Sequence, residues 1–315
     1  MKAVFTTKVT PVYDDLPEVR YHFPKTYLNQ VVQTVGDWIV YYEPRRSTGD
    51  VSSSGGRQAY FATARVVRIY NDPSLVDHFY AEVEEFLPFA MPVPFREGTK
   101  YFESSLRKRD GSTNKGSFGR AVRNISDQEY DTIWLAGFAH VLGGQERPRP
   151  NPDPPEQPLP PISGFFEDQN PYQADEPFDQ DRKIVEQLVS RPFRDKAFSS
   201  AIKDAYRDTC AITGLKIING GGRSEVQAAH IKPVAMRGPD SVRNGIALSG
   251  TVHWMFDRGL ISIDEDYSIL LAKDRVPETV ERLLVGERKL LLPQRPDLRP
   301  HPKFLAFHRN EIFRG

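Results

Sequence analysis

The sequence predicts an α+β fold in two domains, and three observations carry that prediction. Before residue 145, short runs rich in β-branched and aromatic residues mark strands. Residues 148–161 hold eight prolines, too many for a helix or a central strand, and read as a stiff extended spacer. Beyond residue 182, helical patterns flank a strand–loop–helix stretch that carries two histidines. The division is therefore a domain at 1–145, a proline-rich acidic linker at 146–181 and a second domain at 182–315.

In the first domain, residues 38–42 and 59–69 read as strands joined by a Gly/Ser-rich connection, and residues 80–86 and 121–125 as two more. Ser126 can cap a helix over residues 127–133. Several short strands with one or two helices predict a small, strongly bent sheet or barrel. In the second domain, Ile184, Leu188 and Val189 fit one face of a helical region at 181–208 that Pro192 interrupts.

Composition narrows the function. A hydrophobic share of 39% with 27% charged residues describes an ordinary soluble chain. No signal-like segment or membrane-length apolar run is visible, which predicts a cytoplasmic protein without a membrane partner. The single cysteine, Cys210, excludes an intrachain disulfide framework and a four-cysteine zinc knuckle, so no structural zinc is expected. The net charge of zero hides a segregation: residues 146–181 hold two basic and nine acidic residues, whereas 182–315 hold 23 basic and 16 acidic. A basic second domain behind an acidic strip suits a phosphate-bearing partner that displaces the strip, or simply a solvated linker.

The chemistry concentrates between residues 226 and 259. His230 closes the apolar run 226–229, and Pro233 stops that strand from continuing. An imidazole titrating near neutrality is a natural general base for taking a proton from water. Asn244-Gly245 marks a tight turn whose amide can hold the loop through backbone hydrogen bonds. His253 and Asp257 stand four apart, so on a helix they share a face and offer one nitrogen and one oxygen to a divalent cation. Trp254 and Phe256 would bury the opposite face of that helix. Lys232, Arg237, Arg243 and Arg258 are candidate phosphate contacts.

The order His230, Asn244, His253, with Cys210-Ala211-Ile212-Thr213-Gly214 upstream and Asp257-Arg258-Gly259 downstream, resembles the HNH endonuclease family, in its restriction-enzyme branch. The resemblance covers roughly 182–315. It implies a ββα-metal fold with His230 as general base, Asn244 orienting the catalytic loop, His253 as metal ligand and Asp257 as a further ligand, with Mg²⁺ or Mn²⁺ as the ion. Ala229 departs from the pattern, since many members carry a ligand immediately before the base.

Residues 35–44, followed by the strand to Ile69, are similar to the PUA-like superfamily, the small bent barrels that include SRA, EVE and YTH readers of modified bases. Such a fusion resembles modification-dependent restriction enzymes. It implies double-stranded, modified DNA as partner, a flipped modified cytosine as the feature read, and two copies pairing to cut both strands. Trp38, Tyr41, Tyr42 and His22 are the candidate walls of the base pocket, with Arg20 and Tyr27 beside them. Strand alternation puts Trp38, Val40 and Tyr42 on one face, and Ile39 and Tyr41 on the other. Arg107, Lys108, Arg109, Lys115 and Arg120, in a basic segment with a flexible run at 110–116, are candidate DNA contacts. A restriction enzyme reading an unmodified sequence and a non-cleaving nucleic-acid-binding regulator are the alternatives.

Overall fold

The computed structural model describes residues 1–7, 16–45, 56–142 and 191–315. The proline-rich run and the acidic strip fall outside the described residues.

The N-terminal half is built on a six-stranded sheet. Its strands are β1 (Ala3–Thr6), β2 (Arg20–Pro24), β3 (Trp38–Glu43), β4 (Ala59–Asn71), β5 (His78–Pro94) and β8 (Val122–Asn124), in the order β2-β5-β4-β3-β1-β8. Only β1 and β3 pair in parallel. A short hairpin, β6 (Arg96–Glu97) with β7 (Lys100–Tyr101), extends beyond β5. The strand expected at 80–86 is longer at both ends, because β5 follows the long strand β4 through three register shifts. Such bulges bend a long hairpin and raise its twist.

The bend curls the sheet into a half-barrel. Although three strands separate β1 from β2 in the sheet order, Phe5 stacks on Tyr21 with ring centroids 4.6 Å apart. The Tyr21 hydroxyl also donates to the Thr6 carbonyl at 3.1 Å. The concave face holds a core of Phe5, Tyr21, Phe23, Ile39, Tyr41 and Phe86. The opposite face holds Val40, Tyr42, Tyr60 and Leu87 and is covered by α3 (Asp127–Leu142) through Tyr130, Ile133, Trp134 and Phe138. The helix expected over 127–133 thus runs on, since its apolar positions continue to meet the sheet. Ser126 and Glu129 exchange hydrogen bonds across its first turn, each accepting the other's backbone N–H, a capping box. Two shorter helices, α1 (Leu28–Val32) and α2 (Lys115–Phe118), fill the ends of the sheet.

Helix α4 (Arg191–Ala205) joins the two halves. Phe193 meets Trp134 and Phe138 of the N-terminal core, whereas Phe198 and Ile202 are buried in the C-terminal one. Pro192 is the second residue of the described helix, and residues 182–190 before it, with Ile184, Leu188 and Val189, lie outside the described residues. The C-terminal core also takes Leu16 from the N-terminal half. Its elements are the hairpin β9 (Gln227–His230) with β10 (Gly245–Leu248), helix α5 (Gly250–Asp257), the hairpin β11 (Ile261–Ile263) with β12 (Ile269–Leu271), α6 (Glu278–Glu281) and α7 (Pro302–Glu311). Among the described residues no helix is long and apolar enough to cross a membrane.

Candidate active site

Hairpin β9–β10 and helix α5 bring the sequence-singled residues together. Strand β9 ends at His230, which pairs in register with Gly245 on β10. The chain then passes from Leu248 into α5, which carries His253 and Asp257. His230, His253 and Asp257 line one cleft of about 310 Å³, with Pro233, His308 and Ile312 on its other walls.

His230 is held from two sides. Its ring stacks on Phe198 with centroids 3.8 Å apart and planes 13° apart. Its Nε2 lies 3.0 Å from Oδ1 of Asp240. An ionised carboxylate only accepts, so Nε2 is the donor, and in the neutral ring Nδ1 is the nitrogen with a lone pair. Phe198 can lie there because residue 245 is glycine: a Cβ at that position would fall 2.7 Å from the Phe198 ring and 2.3 Å from Ile202.

His253 is fixed in the complementary sense. The Gln227 side-chain oxygen lies 2.8 Å from Nδ1 and accepts from it, so in the neutral ring Nε2, 3.4 Å from Asp257 Oδ2, keeps the lone pair. A nitrogen lone pair beside a carboxylate oxygen is a donor set suited to a hard or borderline divalent cation that keeps several waters. Among the described residues no group of three or more His, Cys, Asp or Glu side chains could hold a metal ion, so this two-donor pair fits only a site completed by water and phosphate.

Asn244 is buried beneath the loop. Its Oδ1 accepts from the Lys232 N–H at 2.9 Å, and its Nδ2 donates to the carbonyls of Lys232 and Pro239, each at 3.0 Å. One amide thereby pins both ends of the loop that leads from His230 to Asp240.

Helix α5 ends in a Schellman arrangement, with Gly259 N–H on the Phe256 carbonyl and Leu260 N–H on the Met255 carbonyl. Gly259 takes φ +70°, and a Cβ there would meet the Ile312 carbonyl at 2.1 Å. The expectation that both Trp254 and Phe256 are buried is corrected. Phe256 stacks on His308 in the core, but Trp254 is 58% exposed, because the helix turns that position toward solvent.

The candidate DNA contacts separate. Arg107, Lys108, Arg109, Lys115 and Arg120 are exposed. The run at 110–116 is folded, with Asp110 accepting from Ser112 and Asn114 capping α2. Arg123 of the same basic segment is buried, donating to Glu103 from Nε at 2.7 Å and from Nη2 at 2.8 Å. In the second half Arg258 is exposed near Trp254, Arg243 pairs with Glu18 at 3.3 Å, and Arg237 pairs with Glu84 at 3.5 Å. Lys232 lies over the Phe307 ring, and burial, then nearby Arg237, draws its ammonium below the ordinary lysine range.

The aromatic cage is not assembled as expected. Tyr41 and Tyr42 are buried in the two separate cores, on opposite faces of β3, so neither lines an open pocket. Trp38 packs half-buried against the core under α3. Tyr27 accepts from the Ala121 N–H. His22 stands on the outer face beside Tyr80 and His78, paired with Asp72 at 2.9 Å. With Arg20 it lines a large cleft whose other wall carries Arg243 and Arg295 from the C-terminal half.

Two site residues escaped sequence reasoning. Asp240 sits in a Gly-Pro-Asp-Ser loop with no regular spacing to His230. Gln227 offered a faint signal, as the polar residue in the apolar run 226–229.

A hairpin and a helix thus bring two histidines and an acid into one cleft. Residues 210–264 match the HNH endonuclease family, and the chain carries an HNH endonuclease domain there. No curated protein sequence matches the chain. Among solved structures it is similar to the modification-dependent TagI restriction endonuclease, with 15% identity and a TM-score of 0.29, covering 90% of this chain and 64% of that one. It is also similar to the N-terminal domain of McrB from Staphylothermus marinus, with 12% identity and a TM-score of 0.28, covering 42% and 92%. A third likeness is to the phosphorothioation-dependent restriction endonuclease ScoMcrA, with 11% identity and a TM-score of 0.21, covering 98% and 57%. TM-scores of this size do not establish a shared fold. This chain spans less than two thirds of the TagI length.

Proposed function

We propose that this protein is a restriction-type DNA endonuclease, that it hydrolyses phosphodiesters at the His230–His253–Asp257 cleft, and that its N-terminal domain is a PUA-like reader of modified cytosine. The observation that carries the nuclease half is the meeting of those three side chains in one cleft within the HNH match.

In this reading, Nδ1 of His230 accepts a proton from water as the water oxygen bonds to phosphorus. The bond from phosphorus to the leaving 3′ oxygen breaks, and that oxygen takes a proton from solvent. His253 Nε2 and Asp257 would hold a divalent ion, Mg²⁺ or Mn²⁺, which when bound stabilises the added negative charge. Asn244 keeps the loop behind the base in place, and Asp240 keeps the imidazole in the productive tautomer. Lys232 and Arg258 flank this cleft in sequence and supply phosphate contacts. Arg107, Lys108, Arg109, Lys115 and Arg120 contact the DNA backbone from the reader side. The base pocket lies not at Tyr41 and Tyr42 but in the large cleft beside His22. Each chain holds one such site, so cutting both strands takes two copies.

The test is incubation with Mg²⁺ or Mn²⁺ on plasmids that are unmodified, carry 5-methylcytosine or carry 5-hydroxymethylcytosine. Cutting of modified DNA only is the expected result. Cutting of unmodified DNA at fixed sites would remove the reader, and binding without cutting would remove the nuclease.

A further inference from the structure

We propose that Glu85 and Arg194 are positioning residues for His230, so that the N-terminal sheet itself holds the base of the nuclease site in register. This rests on the reading of His230 as the proton acceptor.

Asp240 is the carboxylate set against His230. Its side chain is 3% exposed, and a carboxylate so buried stays ionised only if cations or donors face it. His230 Nε2 approaches Oδ1 at 3.0 Å, and Arg194 Nε stands 3.7 Å from Oδ2. Arg194 is itself almost buried and has a second anion: its Nη1 lies 2.8 Å from Glu85 Oε2. The other oxygen of Glu85 lies 3.2 Å from Arg65 Nη2. The charges alternate from Arg65 on β4 through Glu85 on β5 and Arg194 on α4 to Asp240, and the row ends on the imidazole.

The backbone at Glu85 is arranged for this. The β4–β5 register passes from Arg65 opposite Glu84 to Thr63 opposite Leu87, leaving Glu85 and Phe86 together against the single residue Ala64, a bulge with one extra residue. Glu85 adopts φ +56°, a conformation uncommon outside glycine. Phe86 fills the concave core while Glu85 reaches the C-terminal half. Bulges re-aim side chains in this way. The preceding residue, Glu84, reaches the same half, pairing with Arg237 on the loop between His230 and Asp240. Two consecutive acids of the N-terminal sheet thus hold the helix and the loop that set the base. A displacement of β5 would be transmitted to His230 through these charge contacts.

The test uses the full chain with Glu85→Gln, Arg194→Lys and Arg194→Met. Two readouts are taken: cleavage of a 5-methylcytosine plasmid with Mg²⁺, and the imidazole ¹⁵N spectrum of the DNA-free protein, with His230 assigned from a His230→Gln sample. Glu85→Gln is expected to lower kcat about tenfold, to leave affinity for a short DNA duplex within about twofold, and to shift the His230 nitrogens from a single tautomer toward a mixture. Arg194→Met should lose more, Arg194→Lys should recover part, and combining Glu85→Gln with Arg194→Met should add nothing. Glu82→Gln, on the same strand but paired with Arg68, is the control expected to keep wild-type kcat. An unchanged His230 spectrum in Glu85→Gln overturns the proposal, whatever happens to cleavage. A shifted spectrum in a protein that cuts no plasmid upholds the contact while removing the nuclease reading.

Discussion

Nε2 of His230 lies 3.0 Å from a carboxylate oxygen of Asp240, ten residues further along the chain. The contact is local in space but is built by distant parts: β9 delivers the histidine, Asn244 ties the intervening loop at Lys232 and Pro239, and Phe198 closes one ring face. In the neutral ring it determines which imidazole nitrogen carries the proton.

Removing the carboxylate while keeping the shape should therefore separate orientation from chemistry. Asp240→Asn is expected to cut kcat by roughly tenfold with little change in DNA affinity, whereas His230→Ala should remove most of a general-base contribution, on the order of 10³. Single-turnover cleavage against filter binding reads both. Equal losses in rate and affinity would mean that Asp240 serves folding of the loop, not the base.

The donor pair on α5 makes a second prediction. Chelation with EDTA should stop cleavage, and added Mg²⁺ or Mn²⁺ should restore it. Gln227→Leu takes away the acceptor that fixes the His253 tautomer and should raise the metal concentration needed for half-activity by about tenfold to a hundredfold. Asp257→Asn should raise it as well. A metal dependence identical to wild type in both variants would move the ion away from this pair.

Asn244 is a stability prediction as much as a functional one. Asn244→Ala leaves one buried N–H and two carbonyls without their partner, at about 1–3 kcal/mol for a group that water cannot reach. Allowing some repair by water, a loss of about 3 kcal/mol in urea unfolding is expected, together with lost cleavage. Full stability with lost cleavage would instead give the amide a direct part in the reaction.

These residues also show where sequence reasoning reaches and where it stops. The alternation in β3 and the four-residue spacing of His253 and Asp257 depend on backbone periodicity alone, so both were readable. The nearness of His230 to the α5 pair was suggested by order and motif. Asp240 was not readable, because a loop has no period and its fold depends on a buried amide. Tyr41 and Tyr42 misled for a related reason: alternation separates them correctly, but only the curl of the sheet and the cover of α3 decide that both faces are closed. Trp254 misled in the opposite direction, since aromatic character suggests burial while helix phase turns it outward. The Glu85–Arg194 contact joins residues more than a hundred positions apart and carries no local signal.

Acid should destabilise this protein through two buried histidines near the site. His308 is enclosed between the Phe256 ring and Ser262. Its Nε2 donates to the Phe256 carbonyl and its Nδ1 accepts from the Ser262 hydroxyl, so the neutral ring is fully satisfied. Burial pushes its pKa down to about 4, partly opposed by that carbonyl. His301 accepts from the Lys303 N–H at the start of α7, and burial, with Arg243 and Lys303 nearby, also lowers it to about 4. The unfolded chain binds these protons near pH 6.5, whereas the folded one refuses them until about pH 4. Above pH 6.5 both states are neutral and stability is unaffected. Between 6.5 and 4 the unfolded state gains protons first, so stability falls with pH, by up to about 2 kcal/mol per histidine at pH 5. Urea midpoints at pH 7.5 and 5.0 measure the loss. His308→Gln, which keeps a donor but cannot titrate, should remove its share of that difference, and an unaltered difference would show that His308 takes its proton without unfolding.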